Sequence, residues 1–332
     1  MQEIDRRRFL GKAGAAATGL AALYLAAAIP GCGGNGGGDT CPVDEGPGAA
    51  PEEIPTPAQV NGKAAGLVVV KGKEPAAMLR KGLEAWGGLE ALGLAGKKVL
   101  IKVNAAFARP PEDAVTTNPD LVAEAARAFR EAGASRVVVL DHILQDLVDQ
   151  TLEKNGIGPA VRAAGAEAAF YAVRKPGPAR VVSIPGASAL PSAAVLEEVF
   201  QADLIVSMPK AKHHSGAGLS MAMKNFIGIT ANMGNFHQVD LHRAIAEIYT
   251  VVRPSLVITD ATNVLLDHGP GGPGTVAEPR RLVIGTDPVA ADAYTCGLFG
   301  VAPTALGYLV HGERLGVGTT DYPSLGMVEV EA

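Results

Sequence analysis

The sequence contains few cysteines, and this limits the metal chemistry that the chain could support by itself. Only 3 of its 332 residues are cysteines, at positions 32, 41 and 296. An iron–sulfur cluster is normally held by four cysteine thiolates, and cysteine-based structural zinc sites draw on the same residues. We therefore expect neither kind of site. Cys296 lies in the helical pattern "ADAYTCGLFG", where we expect a small buried apolar residue.

Aromatic residues and excess positive charge are also scarce. Aromatics make up 5% of the chain, and the formal net charge is -5 at pH 7. Nucleic-acid-binding proteins usually present a basic face and stacking platforms for bases, so we expect no nucleic-acid partner. The chain also lacks a P-loop, a dinucleotide fingerprint, a GxSxG nucleophile elbow and an HExxH zinc motif. The sequence therefore indicates none of the functions that these four motifs carry.

The N-terminal part carries an export pattern rather than a fold. "DRRRFLGKAG" has its arginines, Phe9 and Leu10 in the order of a twin-arginine signal, and an uncharged Ala/Leu-rich run follows at 13–29. A charged region before a short apolar run is typical of a secretory signal. We assign residues 1–31 to this signal; the alternative is a membrane anchor that stays in place.

A Gly/Pro-rich tether follows the signal. "IPGC" resembles a lipoprotein cleavage box ending at Cys32, and residues 32–60 show no periodicity. Such composition is typical of a flexible linker. We expect export by the twin-arginine machinery to the periplasm, with lipid anchoring at the outer side of the inner membrane through Cys32 left open.

Residues 61–332 alternate short apolar runs with helical stretches. The runs are rich in Val, Ile and Leu and predict strands buried on both faces; they lie at 67–70, 98–103, 136–140, 180–184, 203–208, 255–259 and 281–285. Asn118 and Asp287 each precede a proline and are expected as helix caps. The pattern predicts an α/β domain with a mainly parallel sheet and helices on both faces.

Polar residues follow five of these predicted strands. Ligands of open α/β sheets bind beyond the carboxyl ends of the strands, so we expect a site there. The residues delivered to that edge are Asn104, Arg109, Asp141, His142, Lys210 to His214, Asp260, Asn263 and Asp287.

The segment 209–225, "PKAKHHSGAGLSMAMKN", carries the densest chemistry. It contains three lysines and two histidines, and no acidic residue within it balances the charge. The missing acidic partners suggest that a ligand supplies the negative charge. Lys224 is either a surface lysine or a desolvated one with a lowered pKa. A neutral imidazole at His214 could move protons or ligate a metal.

Two further regions are candidates with plainer alternatives. His237 and His242 are five residues apart, which is not the usual helical metal spacing, and Asp240 is expected to cap the helix that follows. The Gly/Pro-rich segment 267–279 could cradle an anion with its N–H groups, act as a lid, or be a long turn.

Four segments together resemble the domain-of-unknown-function family 362: "TNPDLVAEAARAFREAGASRVVVLDH", "ADLIVSMPKAKHHSGAGLSMAMKNFIG", "LHRAIAEIYTVVRPSLVITDA" and "GTDPVAADAY". The "PKxKxH" motif followed by "KN" is the most specific feature. The resemblance covers about residues 97–300. The family brings no established activity, so it leaves the function open.

A more distant resemblance is to the nickel-pincer-nucleotide lactate racemases. The matching positions are Arg109, His142, His214, Lys224 and His237. The resemblance implies that the lysine tethers the cofactor, that the last histidine ligates nickel, and that the two earlier histidines act as acid and base. The segments "AAFARP" and "VLDHI" depart from the racemase pattern.

We therefore expect an exported cofactor- or metal-dependent enzyme acting on a small anionic substrate, by isomerase or redox chemistry. The alternatives are a non-catalytic periplasmic protein that binds a metal or anion, and a lipid-anchored assembly factor. The predicted roles are catalysis by His142 and His214, ligand or cofactor binding by Arg109, Lys210, Lys212 and Lys224, and metal ligation by His214 and His237.

Overall fold

A computed structural model describes residues 66–144 and 147–332 of the chain. The predicted export signal at 1–31, the tether at 32–60 and Cys32 lie outside the described residues. Among the residues described, no helix combines the length and the apolar character needed to cross a membrane.

The strands of the described residues are β1 (Leu67–Lys71), β2 (Lys98–Val103), β3 (Arg136–Ile143), β4 (Glu167–Ala172), β5 (Ala179–Ser183), β6 (Ser192–Leu196), β7 (Leu204–Met208), β8 (Lys210–His214), β9 (Gly218–Ser220), β10 (Leu256–Leu265), β11 (Val276–Ala277), β12 (Arg281–Gly285) and β13 (Met327–Glu331). The α-helices are α1 (Pro75–Trp86), α2 (Pro119–Glu131), α3 (Val148–Lys154), α4 (Ile157–Ala163), α5 (Glu197–Gln201), α6 (Ala222–Phe226), α7 (Leu241–Ile248), α8 (Pro288–Leu298) and α9 (Gly307–Arg314).

One large sheet organises these elements. Its strand order is β13-β1-β12-β10-β7-β2-β3-β4. The run from β10 to β4 is parallel throughout, whereas β12 is antiparallel to both β1 and β10. The prediction of a mainly parallel sheet is confirmed; besides β12, the short strands β9 and β11 also pair antiparallel, with β8 and β10 respectively.

Helices cover both faces of the sheet, as predicted. Apolar side chains of α1, α2 and α4 pack with one face in a core that includes Val99, Ile101 and Val139. Side chains of α6, α7, α8 and α9 pack on the other face with Leu100 and Leu140. Burial on both faces explains why these strands read as continuous apolar runs.

The predicted helix caps are confirmed. The Asn118 side chain accepts from Asp120 N at 2.8 Å at the start of α2, and Asp287 accepts from Val289 N and Ala290 N, each at 2.9 Å. Asp240 caps α7. Each cap satisfies N–H groups that the first helical turn leaves without a partner.

Two strand predictions need correction. The run at 180–184 does not join the large sheet: β5 forms a separate antiparallel pair with β6. Residues 210–214, for which no strand was predicted, form β8, which continues past β7 and pairs in parallel with the second half of β10. The long β10 thus extends the sheet beyond the carboxyl end of β7 and gives the lysine-rich segment a strand partner.

Candidate functional site

Lys102 and Asp141 form a buried ion pair at the carboxyl ends of β2 and β3. Lys102 Nζ lies 2.7 Å from Asp141 Oδ1. It also donates to Val103 O at 2.6 Å and to Asn225 Oδ1 at 3.3 Å, and Asp141 Oδ2 accepts from Ala105 N at 2.5 Å. These bonds supply the partners that a buried ion pair needs to offset its desolvation.

Lys210 is likewise neutralised by a carboxylate of this chain. The parallel pairing of β8 with β10 places Lys210 opposite Asp260, and Nζ lies 2.9 Å from Oδ2 with both side chains fully buried. Lys210 also donates to Asn263. The expectation that this lysine lacks an acidic partner is wrong, because its partner lies on the neighbouring strand, 50 residues further along the chain.

Lys212 is buried without a carboxylate partner among the described residues. Its Nζ donates to Val115 O at 2.6 Å and to Asn104 Oδ1 at 3.2 Å, and lies 4.9 Å from the centre of the Phe107 ring. The pKa of Lys212 is lowered to about 7. Burial is the largest cause, the charge of Asp141 acts in the opposite direction, and the neighbouring lysines act in the same direction as burial. A charged Lys212 is therefore only partly compensated by neutral oxygens and a ring face.

Lys224 lies in α6 and is 7% exposed. Within residues 66–144 and 147–332 its ammonium group has neither a hydrogen-bond acceptor nor an ion-pair partner. Burial lowers the pKa of Lys224 to about 8; the charge of Lys102 acts in the same direction and that of Asp141 in the opposite one. The hypothesis of a desolvated lysine, rather than a surface lysine, fits this placement.

A buried carboxylate fixes the short helix that carries Lys224. Asp292 accepts from Ala222 N at 2.7 Å and from Met223 N at 3.0 Å, at the start of α6. The Tyr249 hydroxyl donates to Ala222 O at 3.0 Å. Burial raises the pKa of Asp292 to about 7, against the lowering by the two N–H groups. Lys224 is thus presented from a helix held at its beginning by polar contacts.

His214 has one defined tautomer. Its Nδ1 accepts from Gly216 N at 3.0 Å and from Ala217 N at 3.2 Å, so the ring proton lies on Nε2. Burial and the nearby Lys224 and other cations lower the pKa of His214 to about 2. In this arrangement His214 offers a ligand an N–H donor at Nε2.

His237 lies beside His214 but adds no metal cage. The two rings are almost parallel, with centres 6.2 Å apart. No group of three or more His, Cys, Asp or Glu side chains in the described part of the chain is arranged to hold a metal ion. Metal ligation by His214 and His237 stays a prediction.

His142 is fully buried and has the opposite tautomer. Its Nδ1 donates to Gly228 O at 3.1 Å, which leaves a lone pair on Nε2 without a partner in the described residues. Burial lowers its pKa, so the ring is neutral at ordinary pH. His142 can accept a proton or hydrogen bond, and its predicted catalytic role stays a prediction.

Arg109 is occupied by the Gly/Pro-rich segment instead of facing the lysines. It donates to Gly271 O at 3.1 Å and Gly272 O at 3.0 Å, and lies 3.8 Å from Asp113 Oδ2. A Cβ at Gly271 would lie 3.0 Å from the Phe107 ring, so this segment packs closely on the ring that covers Lys212. Arg109 therefore holds the Gly/Pro-rich segment by two hydrogen bonds, and its predicted role in ligand binding stays a prediction.

The charge balance of the site is its most unusual property. Four lysines are buried at this edge, and two of them have a buried carboxylate partner, whereas Lys212 and Lys224 have none among the residues described. A cavity of about 10 Å³ lies at the opposite edge of the sheet, beside Lys98 and Arg136.

Sequence reasoning missed Lys102 and Asn225 as members of the site. Lys102 lies within "KVLIKV", which we read only as a strand. A lysine inside an otherwise apolar, doubly buried strand is itself a signal, because such a charge needs a partner. Asn225 stands in the quoted "KN" motif, but nothing in its neighbourhood indicated that it contacts Lys102.

The fold and the site together define an α/β protein that gathers buried lysines and neutral histidines at the carboxyl edge of a mainly parallel sheet. The chain belongs to the family described as "Domain of unknown function (DUF362)", whose model matches residues 99–297. This confirms the predicted family, and the matched range contains all four buried lysines.

Known proteins that are similar to this chain include the following two. One is a thylakoid-associated protein of Synechocystis sp., 23% identical over 254 residues that cover 74% of this chain and 76% of that protein. The other is the lactate racemase apoprotein from Thermoanaerobacterium thermosaccharolyticum, with a TM-score of 0.45 and 14% identity. That match covers 75% of this chain and only 62% of the racemase chain. At this level of agreement it does not bear on the reaction.

Proposed function

We propose that this protein is an enzyme that acts on a small anionic substrate held between Lys212 and Lys224. The observation that supports this most is the contrast among the four buried lysines. Two are neutralised by Asp141 and Asp260, whereas Lys212 and Lys224 are buried without a carboxylate in the described residues. An uncompensated buried charge is costly, so a bound anion accounts for its presence.

The available groups fit proton transfer on such a substrate. A lysine with a pKa of about 8 has a neutral fraction at ordinary pH, so Lys224 can take a proton from a bound molecule. His214 Nε2–H can donate to an oxygen on which negative charge develops. An isomerisation that moves a proton needs no further group, whereas a redox reaction would need a cofactor.

The test is proton exchange into bound compounds. Small carboxylates and phosphates are first screened for stabilisation of the purified protein, and those that stabilise it are incubated with it in deuterated water. Deuterium incorporation at carbon, detected by mass spectrometry, is the expected result. Lys224→Arg keeps the charge but removes the proton acceptor, so it should retain binding and lose exchange.

The enclosure of the site favours a second candidate function, anion binding without catalysis. The same test distinguishes this function from the enzyme. A buried, donor-rich pocket also suits a protein that holds an anion without converting it. Stabilisation by an anion, dependent on Lys212 and Lys224 but without exchange in any bound compound, would support this binding role and count against the enzyme.

We also propose that residues 1–31 direct twin-arginine export and that residues 32–60 tether the folded domain outside the inner membrane. The similarity to a thylakoid-associated protein is in line with a location at a membrane. Replacing Arg6 and Arg7 by lysine should leave the protein in the cytoplasm of its host, as measured by fractionation. Replacing Cys32 by alanine should release it from the membrane fraction if that residue is lipidated.

A further inference from the structure

The hydrogen bonds at the two unpaired lysines define what a ligand must bring. Lys212 already donates to Val115 O and Asn104 Oδ1, so one of its three N–H groups is free for a ligand. Lys224 has no acceptor within the described residues, so all three of its N–H groups are free. His214 adds one N–H donor, because its Nδ1 is occupied by Gly216 N and Ala217 N.

Hydrogen-bond acceptors are correspondingly scarce at this place. Both oxygens of Asp141 are used, one by Lys102 and the other by Ala105 N. Asp260 is used by Lys210 and by the backbone N–H groups of Asn118 and Thr262. Asp141 and Asp260 therefore already have donors on their oxygens, although the charge of Asp141 still acts on Lys212 and Lys224 and raises their pKa values.

The number of charges can be counted in the same way. The pairs Lys102–Asp141 and Lys210–Asp260 are each neutral overall. His214 is neutral, with its proton on Nε2. When Lys212 and Lys224 are both protonated they are the unbalanced groups, and a ligand with one negative charge would then leave one buried ammonium group uncompensated.

We propose that the ligand of this site is a dianion rich in acceptor oxygens, of the class of phosphate monoesters and short dicarboxylates. This inference rests on the proposed function and sharpens it, because it fixes the charge of the substrate. Two anionic oxygens, one for each lysine, would give both ammonium groups the carboxylate-like partner that Lys102 and Lys210 already possess. A third oxygen would accept from His214 Nε2.

The experiment compares pairs of compounds that share a shape and differ by one charge. Sulfate and methanesulfonate form the tetrahedral pair, and succinate and succinamate form the extended pair. Dissociation constants are measured by calorimetry at pH 7 on the purified protein. We expect the dianion of at least one pair to bind about thirtyfold tighter or more, the size of effect found when one charge of a buried pair is removed.

Single variants make the charge count testable. Lys212→Met and Lys224→Met each leave one unpaired ammonium group, so each should lose the preference for the dianion and bind the two members of a pair alike. Lys97→Met, which removes an exposed lysine, is the matched control and should keep the preference. Thermal unfolding of each variant verifies that it is folded before its affinities are compared.

The outcomes separate this inference from the function on which it rests. Equal binding of monoanion and dianion by the unmodified protein, lost in both lysine variants, would overturn the dianion and leave the anion site standing. Binding that neither Lys212→Met nor Lys224→Met alters would place the anion elsewhere and overturn both. Absence of binding by all four compounds would also overturn both, whereas a dianion preference that each single variant abolishes supports both.

Discussion

The charged side chains at the two edges of the sheet differ in their exposure to water and in their pairing. At the amino edge, Arg136 Nε and Nη2 donate to the two oxygens of Glu167 at 2.9 and 2.6 Å, and the two side chains are 36% and 56% exposed. At the carboxyl edge, the lysines are buried, and two of the four have no carboxylate partner in the described part of the chain. Charged side chains in water contribute little to the free energy of unfolding in either direction, whereas buried unpaired charges destabilise the fold. The carboxyl edge is therefore where a functional reason for the charges is needed.

The largest effect on stability is expected when the buried ion pair between Lys210 and Asp260 is broken. We expect Asp260→Asn to lower the free energy of unfolding by about 3–5 kcal/mol, because Lys210 then lies buried beside a neutral amide. Urea denaturation at pH 7 measures this change. The companion double variant, Lys210→Met with Asp260→Asn, removes the charge as well and should recover part of the loss. A single-variant loss below about 1 kcal/mol would mean that water reaches Lys210.

Removal of an unpaired buried lysine should stabilise the protein instead of destabilising it. We expect Lys224→Met to raise the free energy of unfolding at pH 7 by about 1–3 kcal/mol, because a buried ammonium group without a partner is replaced by an apolar chain of similar size. The same variant should lose anion binding. Lys97→Met, at an exposed position, should change stability by no more than about 0.5 kcal/mol. A destabilised Lys224→Met protein would show that Lys224 has a partner in solution.

The pH dependence of this gain in unfolding free energy is an independent test of the expected direction of the effect. Burial lowers the pKa of Lys224 to about 8 from its ordinary value of 10.5. Between these values the unfolded chain binds more protons than the folded one, so the penalty of the buried charge declines as the pH rises. The stability advantage of Lys224→Met should therefore be full below about pH 8 and shrink towards pH 10.5. An advantage that grows with pH would contradict the assigned shift.

Much of the fold could be predicted because its signals are local. The runs at 98–103 and 281–285 match β2 and β12 without change, and Asn118 and Asp287 cap the helices that follow them. The strand at 180–184 shows the limit of such reasoning. An apolar run identifies a strand but not its partner, and here β5 pairs with β6 outside the main sheet.

The site was predicted less well, because its chemistry depends on contacts distant in sequence. The polar residues that follow β2, β3 and β7 meet at one edge together with Asp260 and Asn263 of β10, but the expectation that Asp287 joins them is wrong, because β12 runs antiparallel to β10 and ends at the other edge. The state of each lysine in turn depends on whether a carboxylate stands opposite it. Only the parallel register of β8 and β10 brings Asp260 to Lys210. The contacts of Arg109 could not be predicted for a similar reason, since its acceptors are backbone carbonyls of a segment 162 residues away. Composition and spacing carry no information about either contact.

The smallest expected effect lies at the amino edge and completes the comparison. Arg136→Gln breaks a two-pronged contact with Glu167, but both groups are returned to water, so we expect a loss of only about 0–1 kcal/mol. The loss should shrink further in 1 M salt, where screening acts over about 3 Å, and urea denaturation at low and high salt measures both values. The loss from Asp260→Asn should persist in high salt, because buried pairs are screened much less. If Arg136→Gln were as costly and as salt-independent as Asp260→Asn, burial would not distinguish the two edges, and the case for a ligand at Lys212 and Lys224 would lose its physical basis.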